Sequence, residues 1–214
     1  MRWGDRRALV DAARAAGVRD KRVLRALRTV PRARFVPPEH AWRAYLDRPL
    51  PIPHDQVTTQ PSLVARMVEA LSLEGSEIVL EVGTGHGFQT AVLAELAQFV
   101  WSVERWPDLA DTARRNLRRH GTTNAEVVVG DGSSGLPEHA PYEAIIVAAA
   151  FPSVPPPLAE QLAPGGRLVQ PLGPGGWDRV LLFEERHGEL LETSFVTGAH
   201  FVRLYGEHGF EQPA

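Results

Sequence analysis

The chain contains no cysteine, which removes disulfides, thiolate metal ligands and cysteine nucleophiles from the chemistry open to it. It has no run of about eighteen apolar residues of the kind that spans a bilayer. Its amino-terminal segment Met1–Arg2–Trp3–Gly4–Asp5–Arg6–Arg7 lacks the apolar stretch of a secretion signal. Positive charge is not in excess either. With 23 Lys and Arg against 26 Asp and Glu the formal charge is −3, so the basic field that dominates phosphate-backbone binding is missing. These absences predict a cytoplasmic protein that binds neither membrane nor nucleic acid. What is present, 43% hydrophobic and 23% charged residues over 214 positions, suits one globular domain with a sizeable core.

Periodicity divides that domain, 1–214, into a prefix at 1–60 and an α/β core at 61–214. Ala, Leu and Arg between Arg6 and Leu27, broken at Gly17, predict two short helices, the second capped by Asp20. From Val30 to Pro61, prolines at 31, 37, 38, 49, 51, 53 and 61 forbid long helices or central strands and predict an extended cover. Its aromatics Phe35, Trp42 and Tyr45 are expected to anchor it on the core. A helix should begin at Pro61 and end before Gly75. Strands are then predicted at Ile78–Val82, Phe99–Val103, Ala125–Val129, Ala144–Ala148 and Arg167–Leu172, alternating with helices at Phe88–Ala97, Pro107–His120 and Pro157–Leu162. That alternation implies right-handed βαβ units in a doubly wound, parallel sheet. Arg179–Glu184 and Ser194–Leu204 leave no room for a helix between them and predict a terminal antiparallel hairpin, seven strands in all.

The first strand of the core, Val79–Leu80–Glu81–Val82, runs into Gly83–Thr84–Gly85–His86–Gly87. Alternate glycines let the backbone approach a bound nucleoside, whose polar groups the amides of the following helix can meet. The spacing is not the Gly-x-Gly-x-x-Gly of dinucleotide sites. A tight strand-to-helix turn would read the same way, so the loop alone leaves both uses open. Ligands in such sheets bind outside the carboxyl ends of the strands. The second strand ends there in Glu104, suited to the two hydroxyls of a ribose, and the third in Gly130–Asp131–Gly132, suited to an exocyclic amine. A solvated Glu104 and a turn-closing Asp131 are the plainer alternatives. His54, His86, His139 and His200 lie in separate segments without an i, i+4 pair, and no metal site is expected of them. Trp101 is expected to pack; Trp106 either packs or meets a base by its edge.

Glu-Val-Gly-Thr-Gly-His-Gly, Val-Glu-Arg and Val-Gly-Asp-Gly resemble the cofactor motifs of class I S-adenosylmethionine-dependent methyltransferases. More narrowly, the chain resembles the protein-L-isoaspartate O-methyltransferase family. The likeness runs through Val30–Pro31–Arg32, Phe35–Val36–Pro37, Leu50–Pro51–Ile52, Gln56–Val57–Thr58–Thr59–Gln60–Pro61, Pro164–Gly165–Gly166 and Gly173–Pro174–Gly175–Gly176. It implies a Rossmann-like fold, S-adenosylmethionine as cofactor, and isoaspartyl-containing proteins or peptides as substrates. The implied reaction methylates the free α-carboxylate, and the ester then collapses to a succinimide whose hydrolysis repairs the residue.

The resemblance assigns Thr58, Glu81, Gly83, Thr84, Gly85, Gly87, Glu104, Arg105, Asp131 and Gly132 to the cofactor, with Glu81 toward its methionine end, Glu104 on the ribose and Asp131 on the adenine. It assigns the acceptor-orienting role to Thr59, where the family has serine in Thr-Ile-Ser and this chain has Val57–Thr58–Thr59. The chain also carries His86 where serine is frequent and Arg203 where proline is common; Arg203 either pairs with an acceptor carboxylate or lies in solvent, the latter being favoured. Two other uses of the same residues stay open: a methyltransferase for another peptide or small-molecule carboxylate, and a cofactor-binding module without catalysis.

Overall fold

The computed structural model describes residues 3–211; Met1, Arg2 and 212–214, and with them the start of the amino-terminal segment read above, lie outside the described residues. Helix α1 (Trp3–Ala15) and helix α2 (Lys21–Thr29) form the prefix, and Asp20 caps α2 by accepting from Arg22 N at 2.7 Å. Helix α3 (Pro61–Ala70) starts at the expected proline. Its cap was not legible. Asp47, from the cover, accepts from Ser62 N at 2.8 Å and from the Gln60 side-chain amide at 2.9 Å.

Strands β3 (Ile78–Val82), β4 (Phe99–Glu104), β5 (Ala125–Val129), β6 (Tyr142–Val147), β7 (Leu162–Leu172), β8 (Gly176–Arg186) and β9 (Glu189–Phe201) form one sheet in the order β5-β4-β3-β6-β7-β8-β9. β3 to β7 pair in parallel, and β8 and β9 add the expected antiparallel hairpin. Side chains alternate across each strand, and the alternation sorts two cores. Val79, Ala144 and Ile146 face the core shared with α1, α2 and α3, while Leu80, Ile145 and Val147 face the core shared with Leu158 and Leu162. The strand order reverses beside β3: β4 and β5 are added on one side, and β6 returns to the other. That switch point opens a crevice at the strands' carboxyl ends.

Several boundaries move. The helix after the glycine loop, α4, stops at Ala94, and α6 covers only Pro156–Glu160. α5 (Pro107–His120) matches its expected span. The hairpin strands are longer than expected because their outer residues do not alternate cleanly, Asp178 being buried while Trp177 and Leu191 are exposed; β9 ends at Phe201, short of Leu204. The turn between them is His187–Gly188, both at positive φ (58° and 86°), the geometry that matches strand twist in a two-residue hairpin. Among the described residues no helix is long and apolar enough to cross a membrane.

The cover is more structured than an extended strap. It contains a single 3₁₀ turn at Arg32–Arg34, a six-residue 3₁₀ helix at Pro38–Arg43 and a small hairpin, β1 (Leu50–Ile52) with β2 (Gln56–Thr58). Phe35 anchors it as expected, fully buried with its ring centroid 6.2 Å from that of Phe88. Trp42 does not: it is 79% exposed and carries the Arg43 guanidinium over its ring.

The main fastener is Arg32, fully buried. Its terminal nitrogens donate to Ala44 O (3.1 Å), Leu46 O (3.1 Å), Arg48 O (2.9 Å), Thr59 O (3.2 Å) and Thr58 Oγ1 (2.9 Å). Burial depresses its pKa to about 10, still well above neutrality. Removing it would strand four carbonyls and leave a cavity. Arg32→Ala is therefore expected to lower the unfolding free energy by about 2–4 kcal/mol, read from the urea midpoint; a midpoint shift near zero would contradict this role.

Candidate active site

A solvent-open cleft lies at the carboxyl ends of β3 and β4, its empty space, open solvent included, about 870 Å³. Its walls are the glycine loop, Glu104–Arg105, the Gln56–Thr59 stretch of the cover, Gly132, Ala148–Ala149 and Val202–Tyr205. The residues expected to act together are thus largely brought together, across more than a hundred positions of sequence.

The loop's glycines 83, 85 and 87 have φ of 95°, 56° and 90°. At Gly83 a Cβ would press on the Ala148 Cβ at 3.3 Å, and at Gly85 it would reach toward Ile52 Cδ1 at 3.4 Å, narrowing the cleft. Gly132 leaves no room for a Cβ beside Val82. Glu104 locks the loop from β4: its Oε2 accepts from Gly85 N at 2.8 Å and its Oε1 from Trp106 N at 3.1 Å. Burial raises the Glu104 carboxyl above its usual range, opposed by the N–H groups of Trp106 and Gly85. Each oxygen keeps acceptor capacity for a ligand hydroxyl.

Glu81 differs. It is fully buried, its Oε2 accepting from Thr90 Oγ1 (2.5 Å) and Ser102 Oγ (2.6 Å), and Ser102 in turn meets Thr84 of the loop at 2.5 Å. Its Oε1 has no partner among the described residues. Burial pushes its carboxyl up to about 7, with the Ser102 and Thr90 hydroxyls holding it from rising further. The Gln89 amide also pulls it down, although it is not aligned for a hydrogen bond. Gln89, unlike Glu81, lines the cleft, and both its amide atoms are buried and unpartnered; so is His86 Nδ1. Buried polar atoms left unpaired beside a cleft are what a polar ligand would satisfy. Burial lowers the His86 pKa, so its imidazole is neutral at physiological pH.

Thr58 and Thr59 both line the cleft, the first fixed through Oγ1 and the second through its carbonyl to Arg32. Above them the β1–β2 turn places His54 at φ 62°, with its ring stacked 3.9 Å from Trp106 and its Nε2 2.9 Å from Asp108 Oδ1. Trp106 thereby packs in a clasp with His54 and the Arg105 guanidinium (4.9 Å); it is not part of the cleft wall, and its edge Nε1 is buried without a hydrogen-bond partner among the described residues. Trp101 packs as expected, stacked on His139 at 3.5 Å.

Asp131 is placed otherwise than expected. Its Oδ1 accepts from Ser133 N (2.9 Å) and Ser133 Oγ (2.7 Å), and its Oδ2 from Glu207 N (2.7 Å). Burial alone would raise its pKa, but the Glu207 and Ser133 donors outweigh that and hold it below the usual range. The carboxylate is engaged by the chain's own Gly206–His208 turn, and it is Gly132 that reaches the cleft wall. The carboxy-terminal stretch Val202–Tyr205 and Gln89 were not foreseen as wall. For Gln89, its position as the second residue of α4, two after Gly87 and at the end nearest the glycine loop, was the available signal.

Because Glu81 titrates higher folded than unfolded, the folded state holds the extra proton between about pH 4.3 and 7. Stability must therefore fall as pH rises through that window. Glu81→Gln should remove this fall: in ligand-free protein, its stability relative to wild type should increase from pH 5 to pH 8 in urea titrations. An equal pH dependence in both proteins would contradict the burial argument.

The sequence model described as Protein-L-isoaspartate(D-aspartate) O-methyltransferase matches residues 4–209. A protein-L-isoaspartate O-methyltransferase from Methanoculleus marisnigri is 51% identical over 198 residues, spanning 92% of this chain and 90% of the relative. A solved protein-L-isoaspartate O-methyltransferase superposes with a TM-score of 0.83 at 28% identity, over 95% of this chain and 67% of that one. A Plasmodium falciparum protein solved with S-adenosyl-L-homocysteine shares the fold, at TM-score 0.77 and 21% identity over 92% of this chain and 96% of that one. With the match running from the first helix to the turn that engages Asp131, the chain belongs to the protein-L-isoaspartate(D-aspartate) O-methyltransferase family, which is S-adenosylmethionine-dependent.

Proposed function

We propose that this chain methylates the free α-carboxylate of L-isoaspartyl residues in proteins or peptides, the ester then closing to a succinimide as the first step of repair. The observation that carries the reading is that Thr59 lies on the wall of the same cleft as the glycine loop and Glu104. A hydroxyl for the acceptor and a cradle for the methyl donor thus share one enclosure. When bound, S-adenosylmethionine supplies a methyl group on a cationic sulfur.

The residues fit such a group. Gly83, Thr84 and Gly85 bring the backbone to it, and Gln89 presents two unpaired amide atoms to its polar end; Gly87, expected there too, is off the cleft wall and instead lets the loop pack on Ala113 and Leu117 of α5. Glu81 acts at one remove, holding Thr90, Ser102 and, through Ser102, the loop residue Thr84. Glu104 accepts from ribose hydroxyls, with Arg105 beside it. Gly132 gives access to the adenine, and Asp131 serves by holding the Gly206–His208 turn in place. Thr58 ties this wall to Arg32.

No general base is needed, because an α-carboxyl with a reference pKa of about 3.5 is already ionised at neutral pH. The chain's task is alignment and exclusion of water, since opposite charges cancel during the transfer and a drier site favours that. Ile52, Val64, Phe88 and Leu109 supply apolar wall for it. Thr59 orients the carboxylate by donating its hydroxyl proton.

Labelled methyl from S-adenosylmethionine should pass to an isoaspartyl peptide and not to the matching aspartyl peptide; transfer to neither would end the assignment. Thr59→Val should slow transfer about ten- to a hundredfold, the cost of losing a hydrogen bond to a charged group. Cofactor affinity, measured by calorimetry, should stay within about twofold, and a variant with undiminished rate would exclude Thr59 from the role.

A further inference from the structure

The turn after β7 builds a seat for one side chain. Asp178, fully buried, accepts from Gly175 N at 3.0 Å and Gly176 N at 3.1 Å, which fixes the Gly173–Gly176 turn. At Gly175, with φ 80°, a Cβ would collide with Arg203 Cγ, so the missing side chain is what lets the Arg203 stem lie across the turn. Arg203 Nε donates to Pro174 O at 2.9 Å, and its guanidinium carbon sits 5.1 Å from the centroid of the Phe210 ring. The backbone is held as well: Ala150 N donates to Val202 O and Leu204 N to Ala150 O, both at 2.8 Å.

Arg203 is thus anchored along its length, yet among the described residues no carboxylate pairs with it and its two terminal nitrogens have no hydrogen-bond partner. It lines the cleft together with Thr59 and Val57. The other arginine on the wall, Arg105, has its guanidinium engaged by the rings of Trp106 (4.9 Å) and Tyr205 (5.2 Å). A guanidinium whose Nε is already committed presents its remaining nitrogens in a fixed plane, and that geometry matches a carboxylate.

We propose that Arg203 binds the carboxylate of the methyl acceptor and selects an anionic acceptor over its neutral amide or ester; the inference rests on the acceptor-carboxylate reading above. The side chain is exposed, as the sequence favoured, and on this proposal the acceptor carboxylate meets it at that surface. The pairing also separates substrate from product. The acceptor enters with a negative charge and leaves as a neutral ester, which the guanidinium no longer holds.

The test compares wild type with Arg203→Gln and Arg203→Lys on an isoaspartyl peptide. KM should rise about tenfold or more in Arg203→Gln, by less in Arg203→Lys, and by far more than kcat changes. A second readout needs no turnover. With S-adenosyl-L-homocysteine present, wild type should bind the isoaspartyl peptide about tenfold tighter than the same peptide with its α-carboxylate as carboxamide, and Arg203→Gln should lose that preference. S-adenosyl-L-homocysteine affinity and the thermal midpoint report whether each variant is intact. If wild type methylates the peptide and both variants keep its KM and its carboxylate preference, the inference is overturned and the function stands. If wild type methylates no isoaspartyl peptide, the function falls and this inference with it.

Discussion

The site depends on one buried guanidinium. Arg32 comes from the first turn of the cover, reaches three carbonyls between Ala44 and Arg48, and holds both the side chain of Thr58 and the carbonyl of Thr59. A buried charge is costly unless its donors are met, and here the acceptors are backbone carbonyls of irregular chain that would otherwise need partners of their own. One side chain therefore pairs four carbonyls and the Thr58 hydroxyl of the cover and fixes its position over the sheet, although its own Nε is buried without a partner among the described residues. Without it the segment bearing Thr59 would be left to the three-residue β1–β2 pairing, the His54 clasp on Trp106 and Asp108, and the Asp47 contacts at the start of α3.

Opposite this fastener, two carboxylates at neighbouring strand ends take different work. Glu104 faces the cleft and spends its charge on the amides of Gly85 and Trp106, which makes the loop rigid while leaving lone pairs for a ligand. Glu81 is sealed beneath the loop and braces it through Thr90, Ser102 and Thr84. The sheet's switch point sets the place, and these two acids set the shape. The C-terminal stretch closes the remaining side, pinned to the sheet by Ala150 and to the third strand's end by Asp131.

Much of this was legible beforehand. The strands β3, β4, β5 and β6 read nearly true because buried parallel strands are short apolar runs, whereas β7 begins at Leu162, five residues before its expected start; Glu81, Glu104 and Gly132 could be placed at strand ends from order alone. The cover was read correctly as surface-hugging, but its prolines said only what it could not be; they do not encode the turns at Arg32 and Pro38 or the hairpin. Asp47 as the cap of α3 and Arg32 as a hub are long-range pairings, invisible to local pattern. Trp42 shows the converse, an aromatic that local reasoning sends inward and the fold leaves outside. Asp131 kept its position but not its free carboxylate, because the turn that claims it arrives 76 residues later.

The central claim is that the Arg32-held segment presents the Thr59 hydroxyl to a carboxylate beside the methyl donor's site. A crystal structure of the chain with S-adenosyl-L-homocysteine and an isoaspartyl peptide tests it most directly. The account predicts the α-carboxylate within hydrogen-bond distance of Thr59 Oγ1, with one oxygen facing the homocysteine sulfur. A carboxylate bound elsewhere, or a cofactor seated away from the Gly83–Gly87 loop, would contradict it.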